Sequence, residues 1–98
     1  QFFYKFILYS MYKYLAEFTG SLFFIYVIIA TGNPLAMGAA LALVVLLTAK
    51  LSGGHVNPAV TLAMASLGKM DTAEVVPYIL SQVFGGFVAV ELFRRYKL

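Results

Sequence analysis

The residues that could do chemistry gather in a glycine-rich segment at residues 52–61, which contains His55, the single histidine of the chain. One histidine cannot build a multi-histidine metal site, and the lack of cysteine removes thiolate ligands and cysteine nucleophiles. The sequence offers no nucleophile–base pair, and Gly53-Gly54 lacks the spacing and the following lysine of a phosphate-binding loop. We therefore expect no enzyme, no bound metal and no cofactor.

Three helix breakers, Gly53, Gly54 and Pro58, interrupt the apolar stretch at residues 51–68, so it cannot be one continuous helix. Asn57 is a favourable N-cap, and Pro58 suits the first helical position, where its missing N–H is harmless. The pattern predicts a helix of about ten residues, or ~15 Å, beginning at Pro58. Because the hydrocarbon core of a bilayer is about 30 Å thick, this helix would reach halfway across it.

We expect this segment to form a re-entrant loop, in which extended chain enters the membrane and a half-helix returns. Non-helical backbone at membrane depth must be buried by protein or line a watery cavity. The half-helix N-terminus, the Asn57 side chain and the backbone carbonyls of residues 53–56 would supply donors and acceptors without a formal charge. That chemistry suits polar neutral molecules, with water the simplest. The alternative interpretation is a short surface helix after a glycine turn.

The composition of the whole chain is that of a membrane protein. Of its 98 residues, 62% are hydrophobic and 11% are charged, whereas an average soluble domain has about 25% charged residues. A turn signal at Gly32-Asn33-Pro34 divides the longest uncharged run into two helices. We predict an all-α membrane protein with one re-entrant half-helix and three transmembrane helices, at residues 14–31, 35–50 and 72–93.

The flanks of these spans carry further signals. Asp71 followed by Glu74 is close to a capping box at the start of the third span. Pro77 is expected in the second turn of that helix, where it would bend it. Residues 1–10 are apolar and aromatic, and we interpret them as an interfacial segment or a remnant ahead of one domain at residues 11–98.

The basic residues are spread along the chain rather than clustered, so we expect membrane lipid and no nucleic acid as a partner. With the N-terminus inside, the basic residues on the inside would be Lys5, Lys13, Lys50 and Lys69. Those on the outside would be Arg94, Arg95 and Lys97. A division of four against three gives almost no positive-inside bias, so it leaves the orientation undecided.

The string at residues 52–61, Ser-Gly-Gly-His-Val-Asn-Pro-Ala-Val-Thr, closely resembles the first-repeat signature of the aquaporin and aquaglyceroporin family. Three further motifs agree in order: Ala16-Glu17-Phe18-Thr19-Gly20-Ser21, Ala36-Met37-Gly38, and a third-helix set of Tyr78, Ser81-Gln82 and Gly85-Gly86. The resemblance covers roughly residues 11–93. It implies a membrane channel subunit that passes water or small neutral solutes such as glycerol.

The resemblance also implies a role for each matching position. The motif that faces permeating molecules would be Asn57, Pro58 and Ala59, with Asn57 as the donor. The backbone carbonyls that line the path would be those of Gly53, Gly54, His55 and Val56. Met37 matches a selectivity-filter position, and His55 is expected to order the loop. Glu17 matches a buried glutamate that hydrogen-bonds the re-entrant loop, and the alternative for Glu17 is a glutamate at the membrane interface.

A full member of that family has two such repeats in opposite orientation, whereas this sequence contains one. Val60 stands where the second repeat would carry its filter arginine, so that arginine has no match here. We expect a pore only when a second, inverted repeat comes from another copy or another chain, for example in an antiparallel homodimer. The alternatives are a non-conducting structural or accessory subunit and a fragment of a longer two-repeat channel.

Overall fold

The computed structural model describes residues 1–96, and over that range the chain is helical and contains no strand. The four α-helices are α1 (Phe2–Thr31), α2 (Pro34–Ser52), α3 (Pro58–Ser66) and α4 (Val75–Arg95), with a 3-10 turn at Thr72–Glu74 ahead of α4. α1 and α2 are each long and apolar enough to cross a membrane, and so is α4 together with the 3-10 turn before it (Thr72–Arg95). The chain is therefore an all-α membrane protein, as the composition predicts. Lys97, expected among the outer basic residues, lies outside the described range.

The first helix is longer than the predicted span. It begins at Phe2 rather than at Tyr14, and it includes most of the aromatic segment at residues 1–10. The stretch from Phe2 to Lys13 contains no glycine or proline, so nothing in its backbone separates it from the span. α1 ends where Gly32 takes a left-handed conformation with φ of 56° and its N–H donates to the Ile28 carbonyl.

The break between α1 and α2 lies where the turn signal predicts it. Asn33 caps α2, and its side-chain oxygen accepts hydrogen bonds from the N–H groups of Leu35 and Ala36. Pro34 occupies the first helical position. Because the link is so short, α1 and α2 pack against each other as neighbours, and α1 also packs along α4.

The start of α4 agrees with one half of the predicted capping box. Asp71 accepts a hydrogen bond from the Ala73 N–H, as an N-cap does. The Glu74 carboxylate instead turns to α1, where it accepts from the Tyr14 hydroxyl at 2.9 Å and pairs with Lys13 at 3.3 Å. Pro77 stands in the first turn of α4 rather than the second, and a first-turn N–H has no intrahelical partner to lose.

Two glycines allow the helices to approach closely. A side chain at Gly85 of α4 would overlap the backbone carbonyl of Phe18 in α1. A Cβ at Gly20 would lie 2.9 Å from the Val56 side chain and 3.0 Å from Val44 of α2. Small residues at such crossings let membrane helices pack backbone to backbone. Both contacts centre on the middle of α1, so this helix is the one that the rest of the bundle packs around.

The interior of the bundle contains polar side chains, whereas its outer surface is apolar. The largest fully buried side chains are Glu17, Ser21 and Thr61. By contrast, Leu46 on α2 is 79% exposed and Phe87 on α4 is 66% exposed. Lipid tails are as apolar as these side chains, so burying them gains little in a bilayer and leaves the polar interior to specify the packing.

Candidate functional site

The segment between α2 and α3 has an unusual backbone. Gly53 and Gly54 have positive φ values of 92° and 66°, and Val56 has a φ of 44°. A β-branched residue in the left-handed region is strained, and such strain persists only when the surroundings impose it. Val56 is buried, and its side chain packs against Gly20 of α1. The course of this loop is therefore imposed by tertiary contacts in addition to its own glycines.

Glu17 supplies the main contact to this loop. Its carboxylate is fully buried in α1, and its hydrogen bonds come from the Ser52 hydroxyl, the N–H groups of His55 and Val56, and the Gln82 amide, at 2.6, 3.1, 2.8 and 2.8 Å. Four donors satisfy the acceptor sites of a carboxylate. Within residues 1–96 no cation pairs with Glu17, so neutral donors alone offset the cost of burying this charge at membrane depth.

Residues of α3 and α4 hold the other side of the loop. The Tyr78 hydroxyl donates to the Ser52 carbonyl at 2.7 Å, and the Tyr78 ring lies 5.1 Å from the His55 ring between centroids. His55 Nδ1 lies 2.8 Å from the Thr61 hydroxyl oxygen. The same oxygen accepts a hydrogen bond from the Gln82 amide at 2.9 Å. Every residue that anchors the loop is buried or half-buried, so the anchor is shielded from solvent.

Asn57 stands at the open end of this arrangement. Its side-chain oxygen caps α3 by accepting from the Ala59 N–H at 2.7 Å, and its Nδ2 makes no hydrogen bond to residues 1–96. Asn57, Pro58 and Ala59 are all exposed. The site thus presents an amide donor at a helix N-terminus, where the helix dipole is positive.

A cavity of about 330 Å³ extends beyond Pro58 between α1 and α4. It is lined by Ser21 and Gln82, whose Oγ and Oε1 atoms are buried without a hydrogen-bond partner among the described residues. Buried polar atoms are rarely left unsatisfied, because each costs about 1–3 kcal/mol. Ser21 and Gln82 therefore hold unsatisfied acceptors in the wall of the cavity.

Comparison with known proteins identifies the family of the chain. The family model described as major intrinsic protein matches residues 7–97, which is nearly the whole chain. The chain belongs to the major intrinsic protein family. This family consists of membrane channels rather than enzymes, so the chain is an integral, multi-pass membrane protein and not an enzyme, as the sequence predicts.

Individual members of the major intrinsic protein family are similar over part of their length. The chain is 42% identical over 88 residues to the glycerol uptake facilitator protein-like 6 of Lactiplantibacillus plantarum, covering 81% of this chain and 41% of that protein. It is 45% identical over 58 residues to aquaporin-8 of Notomys alexis, covering 59% of this chain and 22% of that protein. It is 49% identical over 55 residues to the glycerol uptake facilitator protein of Haemophilus influenzae, covering 56% and 21%. The chain therefore spans less than half the length of these relatives.

The structure brings most of the residues singled out from the sequence into one place, but not all of them. Glu17 and residues 53–59 form one connected cluster. Met37 lies in the first turn of α2, fifteen residues before Ser52 and so about 22 Å along the helix from the loop. Its side chain is half-buried and takes no part in the hydrogen-bonded cluster. Its assignment to a selectivity filter stays a prediction from the resemblance.

The sequence assigns no site role to four of the residues that hold the loop, which are Ser52, Thr61, Tyr78 and Gln82. A signal was present for two of them, because Tyr78 and Gln82 are four residues apart in an apolar span and therefore share one face of α4. Polar side chains inside a membrane span usually face the bundle interior. No such signal singles out Ser52 or Thr61 beyond their place in the string at residues 52–61. Ser52 is the last residue of α2, directly before the glycines.

Proposed function

We propose that this chain is one half of a membrane channel for water or small neutral solutes such as glycerol, complete when a second, inverted repeat is paired with it. The observation that carries the proposal is the exposed Asn57 amide at the N-terminus of α3, on a loop anchored by the buried carboxylate of Glu17. A rigid donor without a formal charge suits passage of neutral polar molecules.

In this proposal α3 is a re-entrant half-helix, and its position along α1 supports this. Ser52 bonds to Glu17, whereas Pro58 lines the cavity with Ser21 and Ile25, farther along α1. The chain then returns, because Glu74 bonds to Tyr14, which precedes Glu17. The nine residues of α3 measure ~14 Å, or about half of a bilayer core.

The loop would form the permeation path from backbone and amide groups. The carbonyls of Gly53, Gly54, His55 and Val56 are the proposed acceptors, and Asn57 is the proposed donor. The positive end of α3 would disfavour cations near the donor, including protons. Since Val60 replaces the arginine of the second-repeat motif, a pore built from two such halves would be less strict and would admit small solutes as well as water.

An antiparallel second copy is the proposed source of the other half. The small imbalance of basic residues lets the chain insert in either orientation. The cavity beyond Pro58, between α1 and α4, provides space for an element of the second repeat. Labelling a Ser66→Cys variant with a membrane-impermeant thiol reagent tests this, because the chain has no other cysteine and the change leaves every basic residue in place. We expect half of the molecules to be protected, and labelling from one side only would contradict the antiparallel pair.

A non-conducting accessory subunit is the second candidate, and the exposed aromatic start of α1 favours it. Phe2 and Phe3 are 84% and 72% exposed. Aromatic side chains of this kind pack readily in a larger membrane assembly. Contacts chiefly with unrelated subunits would support this role.

Stopped-flow swelling of proteoliposomes that contain the purified chain separates the two functions. We expect water or glycerol flux above that of empty vesicles, and loss of most of it in Asn57→Asp, which retains a capping oxygen but loses the amide donor. Asn33→Asp is the matched control, because Asn33 caps α2 away from the loop. Absence of flux from a folded sample would favour the accessory role.

A further inference from the structure

The hydrogen bonds that connect Glu17 to His55 form a chain in which every donor and acceptor can be assigned. Gln82 Nε2 lies 2.8 Å from Glu17 Oε1 and 2.9 Å from Thr61 Oγ1, and Thr61 Oγ1 lies 2.8 Å from His55 Nδ1. Glu17, Thr61 and Gln82 are almost completely buried. Because solvent does not reach these residues, each of their polar hydrogens must find its acceptor within the group.

The assignment starts from the Glu17 carboxylate, which can only accept hydrogen bonds. Gln82 must therefore turn its NH2 group toward Glu17, since the opposite amide orientation would bring two oxygens together. One hydrogen of that NH2 group goes to Glu17, and the second goes to Thr61 Oγ1. The hydroxyl of Thr61 is thereby an acceptor on the Gln82 side, and its own proton is left to be placed.

The other helical threonines show where such a proton usually goes. Thr19, Thr31 and Thr48 donate to the carbonyl four residues earlier. Thr61 makes no such bond, since its hydroxyl is turned toward the imidazole, 2.8 Å from His55 Nδ1. The remaining acceptor within reach is His55 Nδ1.

We infer that Gln82 and Thr61 position His55 as the neutral tautomer with its proton on Nε2. The Thr61 hydroxyl donates to Nδ1, so Nδ1 carries no proton and Nε2 carries one. The Nε2 atom of His55 lies close to Gly53, as a Cβ built on Gly53 would be 3.3 Å from it. Tyr78 packs against the ring, so the geometry fixes the ring plane as well as the proton.

The consequence for permeation rests on the proposed function. His55 is half-buried, and its Nε2–H is a second donor in the loop that presents the Asn57 amide. The tautomer with its proton on Nδ1 would instead present Nε2 as an acceptor. Gln82 and Thr61 are thus positioning residues, since they set what the imidazole offers without reaching the path themselves.

Nitrogen-15 NMR of the imidazole tests the inference directly, because His55 is the single histidine and the spectrum contains one ring. The full chain, labelled with 15N-histidine and reconstituted in lipid at mildly alkaline pH, should show a protonated Nε2 and a non-protonated, hydrogen-bonded Nδ1. A protonated Nδ1 in the wild-type chain would overturn the inference. This readout does not depend on flux, so its result is independent of whether the protein conducts.

Variants then test the role of the hydroxyl. Thr61→Val should shift the Nδ1 resonance and admit the other tautomer, and Thr61→Ser should restore the wild-type spectrum. Thr19→Val removes an exposed threonine hydroxyl bonded to Leu15 and should leave the spectrum unchanged. An unchanged Nδ1 resonance in Thr61→Val would contradict the inference. If that variant does not fold, the wild-type spectrum alone still decides the tautomer.

Discussion

The same dipeptide, Asn-Pro, begins two helices of this protein and does the same local work in both. At Asn33-Pro34 the asparagine oxygen accepts from backbone N–H groups of α2, and at Asn57-Pro58 it accepts from a backbone N–H of α3. In both places the proline stands at the first helical position. As helix starts, the two are equivalent.

The two segments that precede these helices differ. The α1–α2 link follows a single left-handed glycine, Gly32, and a Cβ there would meet nothing within 4 Å. The loop before Asn57 has three successive constraints, since Glu17 binds its N–H groups, Tyr78 binds the Ser52 carbonyl, and Val56 packs against Gly20. A local motif therefore becomes a functional candidate only when distant residues fix its position.

The largest expected effect comes from removing the anchor of the second loop. Glu17→Gln places an NH2 group among four donors, and we expect it to lower the free energy of unfolding by about 3 kcal/mol or more, since hydrogen bonds to a charged group contribute ~1.5–3 kcal/mol each. Glu91→Gln is the control, because Glu91 is exposed beside Arg94 and Arg95. Equal denaturation midpoints for the two variants in detergent would show that the anchor contributes little.

The next effect concerns the carbonyl at the start of that loop. Tyr78→Phe leaves the Ser52 carbonyl without its donor in a buried position, and the expected loss of stability is about 1–3 kcal/mol. Tyr26→Phe is matched to it, because the Tyr26 ring packs against Phe93 and its hydroxyl makes no hydrogen bond to residues 1–96. Chemical denaturation compares the two variants, and a larger loss in Tyr26→Phe would argue against this account of the loop.

The two left-handed glycines should respond unequally to the same substitution. Gly32→Ala introduces a Cβ into open space at φ of 56°, and its expected cost is the backbone term of about 1–2 kcal/mol. Gly53→Ala carries that term at φ of 92° and also brings a Cβ to 3.3 Å from His55 Nε2. Thermal denaturation should therefore rank Gly53→Ala as the less stable variant, and the reverse order would contradict the contact with His55.

The smallest effect should be the same in both regions. Asn33→Ala and Asn57→Ala each remove one helix cap, and each should cost ~1 kcal/mol of stability. In the swelling assay only Asn57→Ala should lose flux, because its amide alone stands on the anchored loop. Equal flux losses in the two variants would mean that the two Asn-Pro starts are functionally equivalent.

The sequence predicted the elements of the fold better than their limits. The turn at residues 32–34, the cap at Asp71 and the short helix beginning at Pro58 follow from local chemistry, which residues close in sequence decide. The start of α1 at Phe2 was not predicted, because the composition of residues 2–13 suits an interfacial segment and a helix equally well. Glu74 was expected to complete a cap, but it bonds to Tyr14 across sixty residues of sequence.

The apolar spans, the two Asn-Pro helix starts and the resemblance at Glu17 and residues 53–59 all follow from the amino-acid sequence. The tertiary structure adds that Glu17, Ser52, Tyr78 and Gln82 meet around the loop, and that Val56 is held at a positive φ. The two kinds of feature differ in how far apart in the sequence the interacting residues lie. Helix caps and turns depend on neighbours within four residues, whereas the buried carboxylate of α1 is satisfied by donors that two other helices and a loop bring to it.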